Sequence, residues 1–219
     1  MNTSDSARRP IKARDTKWAA SIAAALARSG VKPNAISVFS AVFAGGAGMA
    51  LAFTPQVSPA SAAGLFAVGA LGIQLRLLCN LFDGMVAIEG GFKTKSGEVF
   101  NELPDRFADA FILVGAGFAA GRCAHGLTLG WVAALLAVGT AYVRALGAAA
   151  GAGQCFLGPM AKQHRMATMT VAAVGAAVAG FFGYSAAVMF VALAVVAVGG
   201  AITVARRTRW VVRALEAKP

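Results

Sequence analysis

Apolar runs at 35–53, 63–81, 107–120, 127–147, 166–182 and 186–205 dominate this chain. A helix needs about 20 apolar residues to cross the hydrocarbon core of a bilayer. The third run is short for lipid and is read as beginning inside a polar site. Only 13% of residues are charged against 58% hydrophobic, and mean hydropathy is +0.69; a soluble domain carries about twice that charge. The expectation is an all-α, polytopic membrane bundle with about six transmembrane helices.

Charge placement sets the topology. Arg8, Arg9, Lys12, Arg14 and Lys17 crowd the N-terminal arm, and Arg206, Arg207, Arg209, Arg213 and Lys218 the C-terminal tail. By the positive-inside rule both termini are cytoplasmic, which requires an even number of spans. Lys93 and Lys95, then Lys162 and Arg165, mark two further cytoplasmic connections. The turns at 54–61 and 183–185 are uncharged, and Arg122 and His125 mark the remaining one. The net charge of +11 is read as topology signal and anionic-lipid contact, not as nucleic-acid binding. Cys79, Cys123 and Cys155 show neither metal-ligand spacing nor a disulfide framework. No cleavable signal peptide is read, because polar and mixed sequence precedes the first apolar run. A bacterial inner membrane is the expected location.

Residues 1–30 read as a basic arm followed by an interfacial helix, and 31–219 as the membrane domain. Within 15–28, Trp18, Ile22, Ala25 and Leu26 recur at helical spacing, which suits an amphipathic helix on the cytoplasmic interface with Trp18 as anchor. Gly30 ends it. Pro33 suits a first helical turn, and Asn34 or Ser37 is the expected cap. Gly45, Gly46 and Gly48 are read as helix-packing positions. Gly90 and Gly91 break the second span, and a new helix follows Gly97.

Acids, amides and glycines interrupt the apolar pattern there. Asn80, Asp83 with Gly84, and Ala87 lie three or four residues apart and share a helix face; Asn101, Asp105 and Asp109 share another. Carboxylates in membrane-grade sequence are costly and functional by default. Two helices joined by a short loop set these groups opposite one another. Clustered oxygen donors suit Mg²⁺ or Mn²⁺ and a phosphate ligand. Asp83 is the leading ligand candidate, and Asp105 the leading general base. Gly84, and less completely Ala87, permits close approach of a ligand. The alternative is a buried hydrogen-bonded network that only joins helices.

The segment resembles the signature of the CDP-alcohol phosphotransferases: Asp-x-x-Asp-Gly-x-x-Ala-Arg, eight residues, then Gly-x-x-x-Asp-x-x-x-Asp. The spacing is kept, with matches at Asp83, Gly84, Ala87, Gly97 and Asp105. Asn80 and Asn101 replace aspartates, and Ile88 replaces the arginine. The start of the first span at Pro33, Asn34, Ile36 and Ser37 is also similar. The resemblance implies an interfacial helix followed by six spans, and transfer from a CDP-linked donor, often CDP-diacylglycerol, to an acceptor alcohol with loss of CMP. It places Asn80, Asp83, Asn101 and Asp105 around divalent ions, makes Asp105 the base, and lays Gly84 and Gly97 against the CDP moiety. It also implies homodimerisation, which Gly-rich spans allow.

Two amides in place of aspartates remove two negative charges. Asp109 is the first choice to compensate, with Glu89, Glu98 and Glu102 nearby; Arg106 or Lys93 is the candidate for the missing arginine. Arg144, Lys162 and Arg165 lie on the same expected side and suit donor phosphates or an anionic acceptor. The rival readings are a catalytically inactive relative that binds a nucleotide-lipid or a membrane partner, and an ion pathway.

Overall fold

The computed structural model describes residues 16–91 and 96–218, with the side chain of Glu98 outside that description. Arg8, Arg9, Lys12, Arg14, Lys93 and Lys95 lie outside the described residues. Within them run α1 (Lys17–Arg28), α2 (Pro33–Phe53), α3 (Pro59–Glu89), α4 (Gly97–Ala119), α5 (Gly126–Ala149), α6 (Lys162–Ala179) and α7 (Ser185–Glu216), with short 3-10 turns after α2 and α6. No strand occurs among the described residues.

Local chemistry explains the boundaries. Ser29 donates its hydroxyl to Leu26 O at 2.8 Å, and Gly30 takes a left-handed φ of 75°, a common way for a helix to end. Pro33 opens α2, but neither Asn34 nor Ser37 caps it: Lys32 is the N-cap, without a side-chain bond. Ser37 turns toward α3 instead. Ser58 caps α3, accepting from Ser61 N at 3.3 Å. The helix then runs 31 residues without a break, about 46 Å at 1.5 Å per residue. The second apolar run therefore does not end at residue 81; the same helix carries the polar motif to Glu89. The basic tail is likewise helical, because α7 continues through Arg206, Arg207 and Arg209.

Packing follows small residues. A Cβ on Gly48 would lie 2.3 Å from Phe111 O, and one on Gly115 would lie 2.2 Å from Gly48 O. The α2 and α4 backbones are thus in direct contact, as only glycine permits. Gly46 makes no such contact. The main core joins Leu51, Phe66, Ile73, Ile112, Leu113, Met166, Met169, Met189 and Leu193. A smaller cluster of Ala19, Ala23, Ile36, Leu81, Phe82, Met85 and Val86 seats α1 on the polar end of α3. Trp18 meets the Phe82 ring edge-on at 6.2 Å and stays half exposed, as does Ile22.

The protein is an integral membrane bundle. Five helices (α2, α3, α5, α6 and α7) are long and apolar enough to cross a bilayer. They turn residues such as Val42, Leu135, Val171 and Val195 outward. The remaining long helix, α4, packs beside α2 and α5. Its first turns carry Glu102, Asp105, Arg106 and Asp109, so a polar site takes up the N-terminal half of what would be a further span.

Candidate active site at the polar end of the bundle

The starts of α2, α4 and α6 and the ends of α3, α5 and α7 meet at one end of the bundle, as the cross-helix bonds there show. Asp83 Oδ2 accepts the Ser37 hydroxyl at 2.8 Å, and Oδ1 accepts the backbone N–H of Gly84 at 2.6 Å. One turn earlier, the Asn80 amide donates to Ser40 Oγ at 2.6 Å and to Arg76 O at 3.1 Å. The sequence Pro33–Ser37 that begins the first span is thus also the element that orients Asp83.

Arg76 lies one turn before Asn80 and is wholly buried. Its Nη2 donates to Asp109 Oδ1 at 2.6 Å and to Asp105 Oδ1 at 3.3 Å. From the other side, Lys162 Nζ donates to Asp105 Oδ2 and to Asn80 Oδ1, and Arg165 Nη2 donates to Asp109 Oδ2. Arg106 Nη2 approaches Asp105 at 3.7 Å. Four cations (Arg76, Arg106, Lys162 and Arg165) therefore lie against two carboxylates, Asp105 and Asp109. Three guanidinium N–H positions, Nε and Nη1 of Arg76 and Nε of Arg165, are buried without a hydrogen-bond partner. Buried donors of that kind are costly unless an acceptor reaches them.

The α5–α6 connection sets Lys162 in place. Gly151, Gly153 and Gly158 take positive φ. At Gly158 a Cβ would also press into Thr203 at 2.5 Å. Met160 N donates to Thr203 Oγ1 at 3.0 Å, Arg165 Nη1 donates to Met160 O at 3.3 Å, and Arg207 Nε donates to Leu157 O at 2.9 Å. Arg207 also bonds Thr140 O at 2.6 Å. In the sequence Arg207 reads as a topology signal; here it pins the segment that leads into α6. Helix α6 begins at Lys162, so Lys162 and Arg165 share its inner face.

The other expected site residues lie around this cluster. Gly84 and Ala87 are half-buried next to Asp83 and one turn on, and Gly97 is the first residue of α4. Asn101 is exposed, one turn before Asp105. Arg144 donates to Glu102 Oε1 at 2.6 Å and to Gln154 Oε1 at 3.3 Å, with its guanidinium 5.6 Å from the Phe156 ring centre. Arg106 holds the other oxygen of Glu102 at 3.3 Å. Glu102 is thus engaged by two arginines, and Asp109, expected to make good a lost metal ligand, has both oxygens taken by guanidinium groups. Ser37, Ser40, Arg76 and Arg207 entered none of the sequence-based site assignments. A lone arginine in an apolar run was the available signal for Arg76.

A divalent ion needs several free oxygen donors around one point. Among the described residues no three of His, Cys, Asp and Glu gather that way. Both oxygens of Asp105 and the amide oxygen of Asn80 already face cations. These side chains do not fit a two-ion centre.

No protein-family model matches the chain, and no curated relative matches. Solved structures do. The phosphatidylinositol phosphate synthase of Mycobacterium tuberculosis, crystallised with CDP-DAG bound, is 20% identical over 90% of this chain and 94% of its own, with a TM-score of 0.72. The same enzyme with manganese and citrate is 20% identical over 88% of each chain, TM-score 0.72. Its apo form is 21% identical over 87% of this chain and 94% of that one, TM-score 0.67. This chain shares their fold across nearly its whole length.

Proposed function

We propose that the protein is an integral-membrane phosphotransferase of the CDP-alcohol type. It moves a phosphatidyl or phospho-alcohol group from a CDP-linked donor, CDP-diacylglycerol being favoured, to an acceptor alcohol, and releases CMP. The observation that carries this reading is Asp105: a carboxylate only 5% exposed, at the meeting of α3, α4 and α6, at the motif position whose resemblance makes it the base. The whole-chain likeness to a synthase crystallised with CDP-DAG supports the donor class.

In this reading the acceptor oxygen attacks the phosphorus that carries the lipid. The new P–O ester bond forms, the P–O bond to CMP breaks, and the hydroxyl proton passes to Asp105. Lys162 and Arg76, on either side of Asp105, stabilise charge on the phosphate oxygens as the bond order shifts. Gly84, Ala87 and Gly97 leave room for the CDP moiety. The unpartnered donors of Arg76 and Arg165 favour an anionic acceptor. The neighbour's manganese supports a divalent cofactor, Mg²⁺ or Mn²⁺, for this fold, but the cation-paired oxygens of Asp105, Asp109 and Asn80 in this chain do not match it. The site opens to the cytoplasmic leaflet of an inner membrane, so CMP leaves to water while lipid stays in place. Dimerisation through outward glycines such as Gly46 and Gly64 belongs to the same reading.

The test is CMP release by the purified protein in lipid nanodiscs with CDP-diacylglycerol and a panel of alcohols. Asp105→Asn should lower the rate by about 10²–10⁴, the usual contribution of a general base. The amides at Asn80 and Asn101 favour one other reading, a relative that binds the CDP-lipid without turning it over. Tight CDP-diacylglycerol binding with no CMP from any alcohol would select it.

A further inference from the structure

We infer that the Lys162 ammonium is the resident cation of this site, standing between Asn80 and Asp105 in place of a divalent ion, so that CDP-lipid phosphate binds without Mg²⁺ or Mn²⁺. The ligand class rests on the function proposed above; the lysine's role rests on geometry. Nζ donates to Asn80 Oδ1 and Asp105 Oδ2, two of the oxygens a metal at this motif would need. Arg76 holds the other oxygen of Asp105. A divalent ion entering there would meet two cations that already share the one carboxylate.

The sequence changes agree with this placement. An ammonium carries one positive charge, where a divalent ion carries two. Asn80 in place of an aspartate gives a monovalent cation a matched pair of donors, one charged and one neutral. Two aspartates there would overbalance it.

The lysine is also held firmly. Its backbone begins α6, beyond Met160, which is fixed to Thr203, and Arg165, one turn on, is fixed to Asp109. An ammonium has three donors. Asn80 and Asp105 take two, leaving one for a phosphate oxygen. The buried N–H groups of Arg76 and Arg165 that lack partners add to a donor surplus. Such surroundings accept an anion and repel a further cation.

Two measurements on the purified protein in nanodiscs of zwitterionic lipid test this. The first is titration of Mn²⁺ with detection of the free ion by electron paramagnetic resonance. The wild type should leave the free-ion signal undiminished, whereas Lys162→Met combined with Asn80→Asp and Asn101→Asp should capture the ion. The second is CDP binding by calorimetry. It should be unchanged by EDTA in the wild type and fall roughly ten- to a hundredfold in Lys162→Met, as the loss of a charge-assisted bond entails. Stoichiometric Mn²⁺ capture by the wild type overturns the inference, and so does CDP binding that EDTA abolishes and Mn²⁺ restores. The wild-type titration decides even if the variants do not fold. Failure of CDP to bind under every condition would overturn the proposed function instead, with the Mn²⁺ result still judging Lys162.

Discussion

Asp83 and Asp109 stand at the same end of the bundle, both buried, and are held in opposite ways. Asp83 receives a serine hydroxyl and a backbone N–H, both neutral. Asp109 is clamped between the guanidinium groups of Arg76 and Arg165. Neutral donors orient a carboxylate and leave its charge to act on whatever comes near; Asp83 is close enough for the Lys162 ammonium and the Asp105 carboxylate to act on it electrostatically. Arginine partners cancel the charge and convert the carboxylate into a link between helices. Asp105 lies between these extremes, shared by α3 and α6 cations but still reached from the Lys162 side.

The contrast can be broken most directly at Asp109. Asp109→Asn leaves two buried guanidinium groups without their counter-charge, and the expected loss is about 3–5 kcal/mol of stability. Thermal unfolding in micelles measures it, and an unshifted transition would remove the distinction between the two carboxylates. Asp83→Asn should behave the other way. The amide oxygen can still accept the Gly84 N–H, and the amide NH2 can donate to the Ser37 hydroxyl oxygen in place of accepting from it, so unfolding should move by less than about 1 kcal/mol. CMP release should nevertheless drop about 10²–10³-fold, the usual cost of losing one preorganised group at a reacting centre. A variant that unfolds early yet keeps its turnover would reverse the assignment. The smallest effect on turnover is expected from Ser37→Ala, which removes one neutral bond to Asp83. Stability should fall by about 0.5–1.5 kcal/mol, with turnover reduced far less than in Asp83→Asn; equal losses in the two variants would make orientation, not charge, the contribution of Asp83.

The helical plan was legible because bilayer-length apolar runs leave few choices. The shared faces of Asn80 with Asp83 and of Asp105 with Asp109 were legible from spacing alone. Partnerships were not. Ser37 has the composition of a helix cap, and only the approach of α3 to α2 turns its hydroxyl to Asp83. Arg76 is visible as a costly residue in an apolar run, but its two acids lie on another helix, some thirty positions away. Arg207 looks like any other cation of a basic tail until the tail proves helical and reaches the α5–α6 connection. Asn101 shares a face with Asp105 by spacing, yet sits exposed a turn beyond the buried cluster. Charge counts foresaw a deficit of negative charge at the motif. They did not foresee that a lysine from α6 would reach into it.

The pinned connection between α5 and α6 has a consequence for how this chain can vary. Surface loops ordinarily absorb insertions at little cost. Here Leu157 and Met160 are tied to α7, and the next helix starts two residues past the second tie. An added residue between Met160 and Lys162 has no slack to enter. It must either break the tie to Thr203 or carry Lys162 and Arg165 off their aspartates, since one residue is about 100° of helix rotation. This stretch, irregular and glycine-rich as it is, works as a gauge of fixed length, and changes in its length should be harder to tolerate than most changes in its side chains.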